Sequence, residues 1–170
     1  PDIPADTTLA VVEGLYSMDG DLPKLADWQG EHWLMVDEAH AFGVLGPQGR
    51  GVAAAQGVEP DFVVGTFGKA IGAYGAFIIG PPELHPLLRS AGRTFIFTTG
   101  LPEPVASAAL VGLRCADDAR RQRLAANVTR LRSGLAELGL PALGEAHIVP
   151  VVLGARTMAV AAALRGAGYY

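Results

Sequence analysis

Residues 61–70, DFVVGTFGKA, decide the predicted fold. After Asp61, the apolar run Phe62–Val64 predicts a short buried strand. Glycines, a threonine and Lys69 follow it. A strand followed directly by a hydroxyl and an amine side chain is typical of α/β proteins, whose sites lie at the carboxyl ends of their strands. The chain has only one other lysine, Lys24, so Lys69 is a candidate nucleophile, with a solvated loop lysine as the alternative.

Apolar runs on either side of this strand predict the remaining elements. Further strands are predicted at 9–13, 32–36, 76–79, 94–97 and 148–153. Helices are predicted at 22–28, 52–55, 83–89, 105–113, 118–138 and 156–165, the first with Asp21 as its N-cap. The strands are apolar without alternation, which indicates an α/β fold with a mostly parallel sheet covered by helices on both faces.

Composition excludes several classes of protein. Half of the 170 residues are hydrophobic, 18% are charged and the net charge is −4, which indicates a globular chain without an electrostatic drive towards nucleic acid or an anionic membrane. The single cysteine, Cys115, excludes an internal disulfide framework and suits a reducing cytoplasm. No apolar run approaches the length of a membrane span, and the N-terminus does not resemble a signal peptide.

Polar residues with catalytic potential follow two of the predicted strands. Asp37 and His40 come directly after strand 32–36, and Thr66 and Lys69 follow the strand that begins at Phe62. Because parallel strands end at one edge of a sheet, we expect a carboxylate, an imidazole, a hydroxyl and an amine to meet there. Each residue taken singly has a structural alternative, as a cap, a turn residue or a satisfied loop histidine.

The string LMVDEAH, residues 34–40, also resembles the metal-binding and water-activating box of DEAH-type helicases. In such an ATPase Asp37 would hold Mg²⁺ and Glu38 would polarise the attacking water. That function requires a phosphate loop of the form GxxxxGK[ST]. The glycines before Lys69 are too close together, an alanine follows the lysine, and the glycine-rich loop 43–51 has no lysine. The ATPase is therefore the weaker alternative.

The same residues fit a pyridoxal phosphate site better. Such a site needs a lysine amine that binds the cofactor covalently and an aspartate that keeps the pyridine nitrogen protonated. A histidine just beyond the aspartate can contact the ring, and a hydroxyl three residues before the lysine can reach the phosphate. No metal is needed for this chemistry.

Four separated motifs resemble the α-oxoamine synthases. They are VVEGLYSMDGD, LMVDEAHAFGVLGPQGRG, TFGKAIGAYGAFIIG and RTFIFTTGLPEP, which begin at residues 11, 34, 66 and 93. The resemblance implies pyridoxal phosphate-dependent transferase fold type I and the condensation of an amino acid with an acyl-CoA, with loss of CO₂. The TFGKA form and the segment 95–99 are most similar to the biotin-pathway subgroup, while other subgroups stay open.

The resemblance implies a role for each matching position. Lys69 falls on the cofactor-binding lysine, which also acts as acid and base, Asp37 on the partner of the pyridine nitrogen and His40 on the contact to the ring oxygen. Phosphate or cofactor contacts fall on the hydroxyl residues Ser17, Thr66, Thr98 and Thr99. Thr98 and Thr99 would serve the neighbouring subunit, which implies a homodimer with shared active sites. Turn and cap roles remain the alternatives for Ser17, Thr98 and Thr99.

The resemblance also implies that this chain is a fragment. Residues 1–115 match part of the large cofactor-binding domain, 116–140 a connecting helix, and 141–170 the start of a small C-terminal domain. The residue that stacks on the cofactor ring and the arginine that holds the substrate carboxylate are expected outside this stretch. A truncated, non-catalytic partner subunit is the alternative from another class.

Overall fold

A computed structural model describes residue 3 and residues 6–169. Four strands form one sheet in the order β1-β2-β3-β4: β1 Leu9–Glu13, β2 Trp33–Asp37, β3 Phe62–Thr66 and β4 Ala76–Ile79. The first three strands are parallel, and β4 pairs antiparallel with β3. The strands therefore lie where the apolar runs predict them, in a mostly parallel sheet.

The helices follow in chain order and account for most of the second half of the chain. They are α1 Val52–Gln56, α2 Leu84–Ala91, α3 Arg93–Ile96, α4 Glu103–Cys115, α5 Asp118–Glu137 and α6 Thr157–Gly166. Short 3₁₀ turns lie at Leu25–Trp28, Pro47–Gly49 and Gly154–Arg156. Among the described residues, no helix combines the length and the apolarity needed to cross a bilayer.

Two predicted strands are wrong. Residues 94–96 lie in α3 and Phe97 in the turn after it, and residues 148–153 form no strand. The predicted helix at 22–28 is reduced to a 3₁₀ turn with Lys24, not Asp21, as its N-cap. Two backbone N–H groups in this segment donate to side chains that are distant in sequence. Leu22 N–H donates to Glu145 (3.0 Å), and Leu25 N–H donates to Gln56 (2.9 Å).

The hydrophobic core lies on one face of the sheet. Alternate strand residues point into it, and Leu15, Leu25 and Val52 close it from the loops and from α1; the strand members are Ala10, Val12, Leu34 and Val36. The opposite face leaves Leu9 (42%), Val11 (58%) and Trp33 (52%) exposed. Within the described residues, cover on this second face is thus only partial.

The chain returns from β3 to β4 through the loop 67–75, so Lys69 lies in a hairpin connection. Thr66 is in register with Ala76, and Phe67 N–H continues the ladder to Gly75 O at 2.9 Å. Gly65 lies against the Phe77 ring, which a Cβ at that position would overlap. The glycine thereby lets the Phe77 ring lie across β3, and this packing favours the observed pairing.

Candidate functional site

The carboxyl ends of β1, β2 and β3 meet at one edge of the sheet. Glu13 is in register with Asp37, and Asp37 with Val64. Two backbone hydrogen bonds of 2.8 Å extend the ladder past the strand ends, from Gly14 N–H to Asp37 O and from Glu38 N–H to Val64 O. The polar residues that follow these strands therefore share the same edge, as the parallel arrangement predicts.

Lys69 and His40 are in direct contact. The amine Nζ of Lys69 lies 2.7 Å from Nε2 of His40, which joins the loop after β2 to the loop after β3. His40 is half-buried, and Lys69 is exposed. An amine bonded to an imidazole can share a proton with it, which is the arrangement that proton transfer requires.

The carboxylate of Asp37 is held by the loop that it starts. Its Oδ1 accepts a hydrogen bond of 2.8 Å from the Ala39 N–H, and the side chain is half-buried at the end of β2. Thr66 is fixed in a similar way: its hydroxyl donates to Gly75 O at 3.0 Å and accepts from Gly68 N–H at 3.1 Å. Both side chains thus brace the loops that carry His40 and Lys69.

The other hydroxyl residues lie farther from this contact. Ser17 is exposed in the turn after β1, at the same edge of the sheet. Thr98 and Thr99 are exposed beyond α3, where the Thr98 hydroxyl donates to the Thr94 carbonyl. Of the predicted site residues, Lys69 and His40 line the cleft beside Lys69; these two threonines do not line it, and neither do Ser17, Asp37 and Thr66.

Glu38 has a role that the sequence interpretation missed. The residue is fully buried, and its two carboxylate oxygens accept hydrogen bonds from Val52 N–H (2.9 Å) and Ala53 N–H (2.7 Å), at the start of α1. Burial raises the pKa of the Glu38 carboxyl, with a smaller contribution in the same direction from Asp37, while the two N–H bonds oppose the shift. Glu38 thus fastens α1 to the end of β2.

Two glycines make room for this carboxylate. A Cβ at Gly14 would lie 2.5 Å from Oε2 of Glu38, and a Cβ at Gly51 would overlap the carboxyl group; Gly51 also has a φ of +97°. The sequence signal was weak: Glu38 directly follows the end of an apolar strand, where a carboxylate that becomes buried needs partners. A side chain enclosed in this way does not polarise an attacking water, which argues against the ATPase.

A cleft of about 530 Å³ opens beside Lys69 and His40. Its far wall is the start of α5, with Arg120, Arg121 and Leu124, and His147 closes one side. The volume lies within the range of roughly 300–1,000 Å³ typical of small-molecule sites. No pattern in the sequence marked His147, because it lies in an irregular segment without a motif.

The helix start that forms the far wall is capped. Asp117 accepts a hydrogen bond of 2.8 Å from Arg120 N–H, and its carboxylate pairs with the Arg120 guanidinium at 2.9 Å. These contacts, the backbone bond first, lower the pKa of the Asp117 carboxyl. In the part of the chain that the structure describes, no three His, Cys, Asp or Glu side chains converge as a metal site would require.

The family model for aminotransferase class I and II matches residues 3–170, nearly the whole chain. The chain belongs to the aminotransferase class I and II family. The 8-amino-7-oxononanoate synthase of Anaeromyxobacter dehalogenans (strain 2CP-C) is 48% identical over 95% of this chain. The chain spans 44% of that relative's length, about the same share as for the other curated relatives it matches.

Solved structures in this family show the same fold. The serine palmitoyltransferase of Sphingomonas wittichii superposes with a TM-score of 0.88 at 36% identity, over 99% of this chain and 46% of that one. The 8-amino-7-oxononanoate synthase of Francisella tularensis gives 0.80 at 30% identity, over 94% and 50%. Another serine palmitoyltransferase, solved with pyridoxal phosphate, gives 0.87 at 38% identity, over 99% and 46%. Both enzymes are α-oxoamine synthases, so the predicted resemblance and the fold-type-I class are confirmed.

Proposed function

We propose that this chain is the lysine-bearing part of a pyridoxal phosphate-dependent α-oxoamine synthase, an acyltransferase that condenses an amino acid with an acyl-CoA and releases CO₂. The best-supported member is 8-amino-7-oxononanoate synthase, which joins L-alanine to a pimeloyl thioester in biotin biosynthesis. The observation that carries the proposal is the 2.7 Å contact between Nζ of Lys69 and Nε2 of His40. It lies at the edge of the sheet where β2 ends with Asp37.

The residues at this edge fit the cofactor. The Lys69 amine is exposed on a cleft of suitable size, and an amine beside an imidazole has a partner that can take its proton. Asp37 would pair with the pyridine nitrogen, His40 with the ring oxygen, and Thr66 and Ser17 with the phosphate. When bound, pyridoxal phosphate supplies an electron sink for negative charge formed at the substrate α-carbon.

The chain's own groups then have separate tasks. The Asp37 carboxylate, held by the Ala39 N–H, favours the protonated ring nitrogen because an opposite charge stabilises the cation. His40 orients the Lys69 amine and can exchange a proton with Nζ. Lys69 would hold the cofactor, and its amine, with His40 as proton partner, would remove and return the proton at the substrate α-carbon.

The domain boundaries, the partners and the location belong to the same proposal. Residues 1–115 belong to the large domain, 116–140 to the connecting helix that contains α5, and 141–170 to the start of the small domain. The whole protein is a cytoplasmic homodimer in which Thr98 and Thr99 contact the phosphate bound by the neighbouring subunit. Their exposure beyond α3 supports this arrangement.

The experiment that tests the proposal uses the two lysines as a matched pair. Lys69→Ala is expected to abolish the visible absorption of lysine-bound cofactor, and borohydride then no longer fixes the cofactor to the chain. Lys24→Ala is the control, because that side chain is exposed and pairs with Asp27 on the surface. Cofactor fixed equally by the wild type and by Lys69→Ala would refute the assignment.

Two alternatives stand beside this assignment. A serine palmitoyltransferase-like substrate choice is supported by the structural neighbours, and 2-amino-3-ketobutyrate CoA ligase and 5-aminolevulinate synthase carry out the same class of reaction. A truncated, non-catalytic partner subunit is the alternative from another class. Titration of the chain with pyridoxal phosphate separates the second alternative, because a partner subunit would form no bond at Lys69.

A further inference from the structure

His147 lines the cleft that contains Lys69 and His40, yet the proposed function gives it no task. It lies after α5, in the irregular segment 142–148. It also borders the neighbouring cavity beneath α5, which Val128 and Arg132 line. The imidazole therefore lies at a boundary between the cleft and the helix that forms its far wall.

The segment that carries His147 is pinned to α5 by one side chain. The Arg132 guanidinium donates hydrogen bonds of 3.2, 3.1 and 3.4 Å to the backbone carbonyls of Ala142, Ala146 and Ile148. Two of these acceptors flank His147 directly. A guanidinium presents its donors in a fixed planar fork, so these bonds restrict the backbone on both sides of the imidazole.

A second set of bonds ties the same segment to the loop after β1. Glu145 N–H donates to Gly20 O at 2.9 Å, and the Glu145 carboxylate accepts from Leu22 N–H at 3.0 Å. Gly20 and Gly144 pack so closely that a Cβ on either would approach the Ile148 carbonyl oxygen. The backbone that carries the imidazole is thus held from two directions, as expected for a residue that positions a ligand.

The hydrogen bonding of the ring decides where its proton lies. Nδ1 of His147 is buried and finds no partner among the described residues. A buried N–H without an acceptor is rarer and more costly than a bare acceptor, so the proton belongs on Nε2. Burial lowers the pKa of the His147 imidazole, and the nearby His40 adds to this, so both effects favour the neutral ring.

The surroundings of the ring indicate what its remaining N–H can bind. The cleft around it is lined by the basic residues Lys69, His40, Arg120 and Arg121. The two arginines are paired with Asp117 and Asp118, which leaves the amine and the imidazoles to face a ligand. A neutral N–H donor in such a cleft is matched by an oxygen that carries, or develops, negative charge.

We infer that His147 is a substrate-binding residue whose Nε2–H donates a hydrogen bond to a substrate oxygen in the Lys69 cleft. The oxygen belongs either to the carboxylate of the amino acid or to the carbonyl of the acyl thioester. This inference rests on the proposed function, since it takes the substrates from there. His147 then positions one substrate beside the Lys69 amine and contributes to the choice between substrates.

The test follows the four histidine rings by NMR in the chain loaded with pyridoxal phosphate. Two probe pairs distinguish the source of the oxygen: L-alanine against ethylamine, which lacks the carboxylate, and S-butanoyl-N-acetylcysteamine against its S-butyl thioether, which lacks the thioester carbonyl. We expect the His147 ring signal to move with the member of one pair that carries the carboxylate or the thioester carbonyl, and not with its match. A His147 signal that moves with neither pair overturns the inference.

Variants provide a second readout by calorimetric titration with the same probes. His147→Phe removes the donor and keeps a flat ring, so binding of the effective probe should weaken about 2- to 10-fold, the usual worth of one neutral hydrogen bond. His147→Gln restores an N–H donor and should recover much of the loss, whereas His85→Gln, on exposed α2, should change nothing. Unchanged binding in His147→Phe would also overturn the inference.

Failure of this inference and failure of the proposed function give different results. If Lys69→Ala abolishes the absorption of lysine-bound cofactor but the His147 signal does not respond to the probes, only the inference about His147 is refuted. If the cofactor is never fixed at Lys69, the proposed function itself is refuted.

Discussion

Removal of the Glu38 carboxylate should destabilise the fold, because it accepts hydrogen bonds from two backbone N–H groups at the start of α1. Glu38→Ala leaves the N–H groups of Val52 and Ala53 buried without an acceptor. A buried unsatisfied donor costs about 1–3 kcal/mol, so two of them would cost roughly 2–6 kcal/mol. The variant also removes the cost of burying a carboxylate, which offsets part of that sum. The expected loss in the free energy of unfolding is about 2–4 kcal/mol, measured by urea titration.

A graded series makes the reasoning refutable. Glu38→Gln keeps one acceptor oxygen but turns an amide N–H towards the second donor, so its loss should be about half that of alanine, roughly 1–2 kcal/mol. Glu31→Gln, at an exposed position, should stay within about 0.5 kcal/mol of the wild type. A Glu38→Ala loss no larger than that of Glu31→Gln would show that the two N–H bonds do not support α1.

The pH dependence of the same series has a defined sign. Because the pKa of Glu38 is raised above 4.5 in the folded chain, the folded state binds more protons than the unfolded state in the window just above 4.5. The contribution of Glu38 to stability therefore falls as the pH rises through that window. The gap between the wild type and Glu38→Gln should be wider at pH 4 than at pH 7, and an opposite trend would contradict the assigned burial.

Three further changes test other contacts. Gly134→Ala, in α5 where a Cβ meets nothing within 4 Å, should raise the free energy of unfolding by about 0.5–1 kcal/mol. Gly112→Ala, in α4, should lower it by about 1–3 kcal/mol, because the new Cβ meets Ile71 in the loop that carries Lys69. Equal effects of the two variants in urea titrations would refute the packing. Asp117→Ala should lower the melting temperature at pH 7, because the variant loses the α5 cap. Since the pKa of the Asp117 carboxyl is depressed below 3.8, the difference in melting temperature from the wild type should shrink as the pH falls through that region. A difference that does not change with pH would contradict this role of the cap. Asp37→Asn should retain the cofactor but lose most of the activity, as measured by condensation kinetics in the whole protein, because a neutral amide no longer favours the protonated ring nitrogen; unchanged kinetics would count against this role.

The sheet and the lysine edge were predictable because local patterns and tertiary structure agree there. The runs at 9–13, 62–64 and 76–79 are apolar and rich in strand-forming residues, and each pairs with a neighbour within the described chain. Asp37, His40 and Lys69 follow parallel strands directly, so topology alone brings them to one edge. The contact between Lys69 and His40 follows from that placement.

The two wrongly predicted strands do not form, and each has a physical reason. Residues 148–153 are apolar and β-branched, but Pro150 lacks an N–H, and the Ile148 carbonyl accepts a hydrogen bond from Arg132. A run without a partner strand in the described chain forms no ladder. Residues 94–97 directly follow α2, and Gly92 starts a new helical turn there in place of a strand. Strand propensity alone did not decide either segment.

The hairpin between β3 and β4 limits how the loop around Lys69 can vary in length. Its two arms are joined at the base by the pairing of Thr66 with Ala76, and inside the loop by the bond between Ala73 N–H and Phe67 O. A single-residue deletion between the arms would have to break these contacts or turn the strand residues that follow to the opposite side of the sheet. Loop-shortening libraries built on this scaffold should therefore recover point substitutions in 67–75 far more often than deletions.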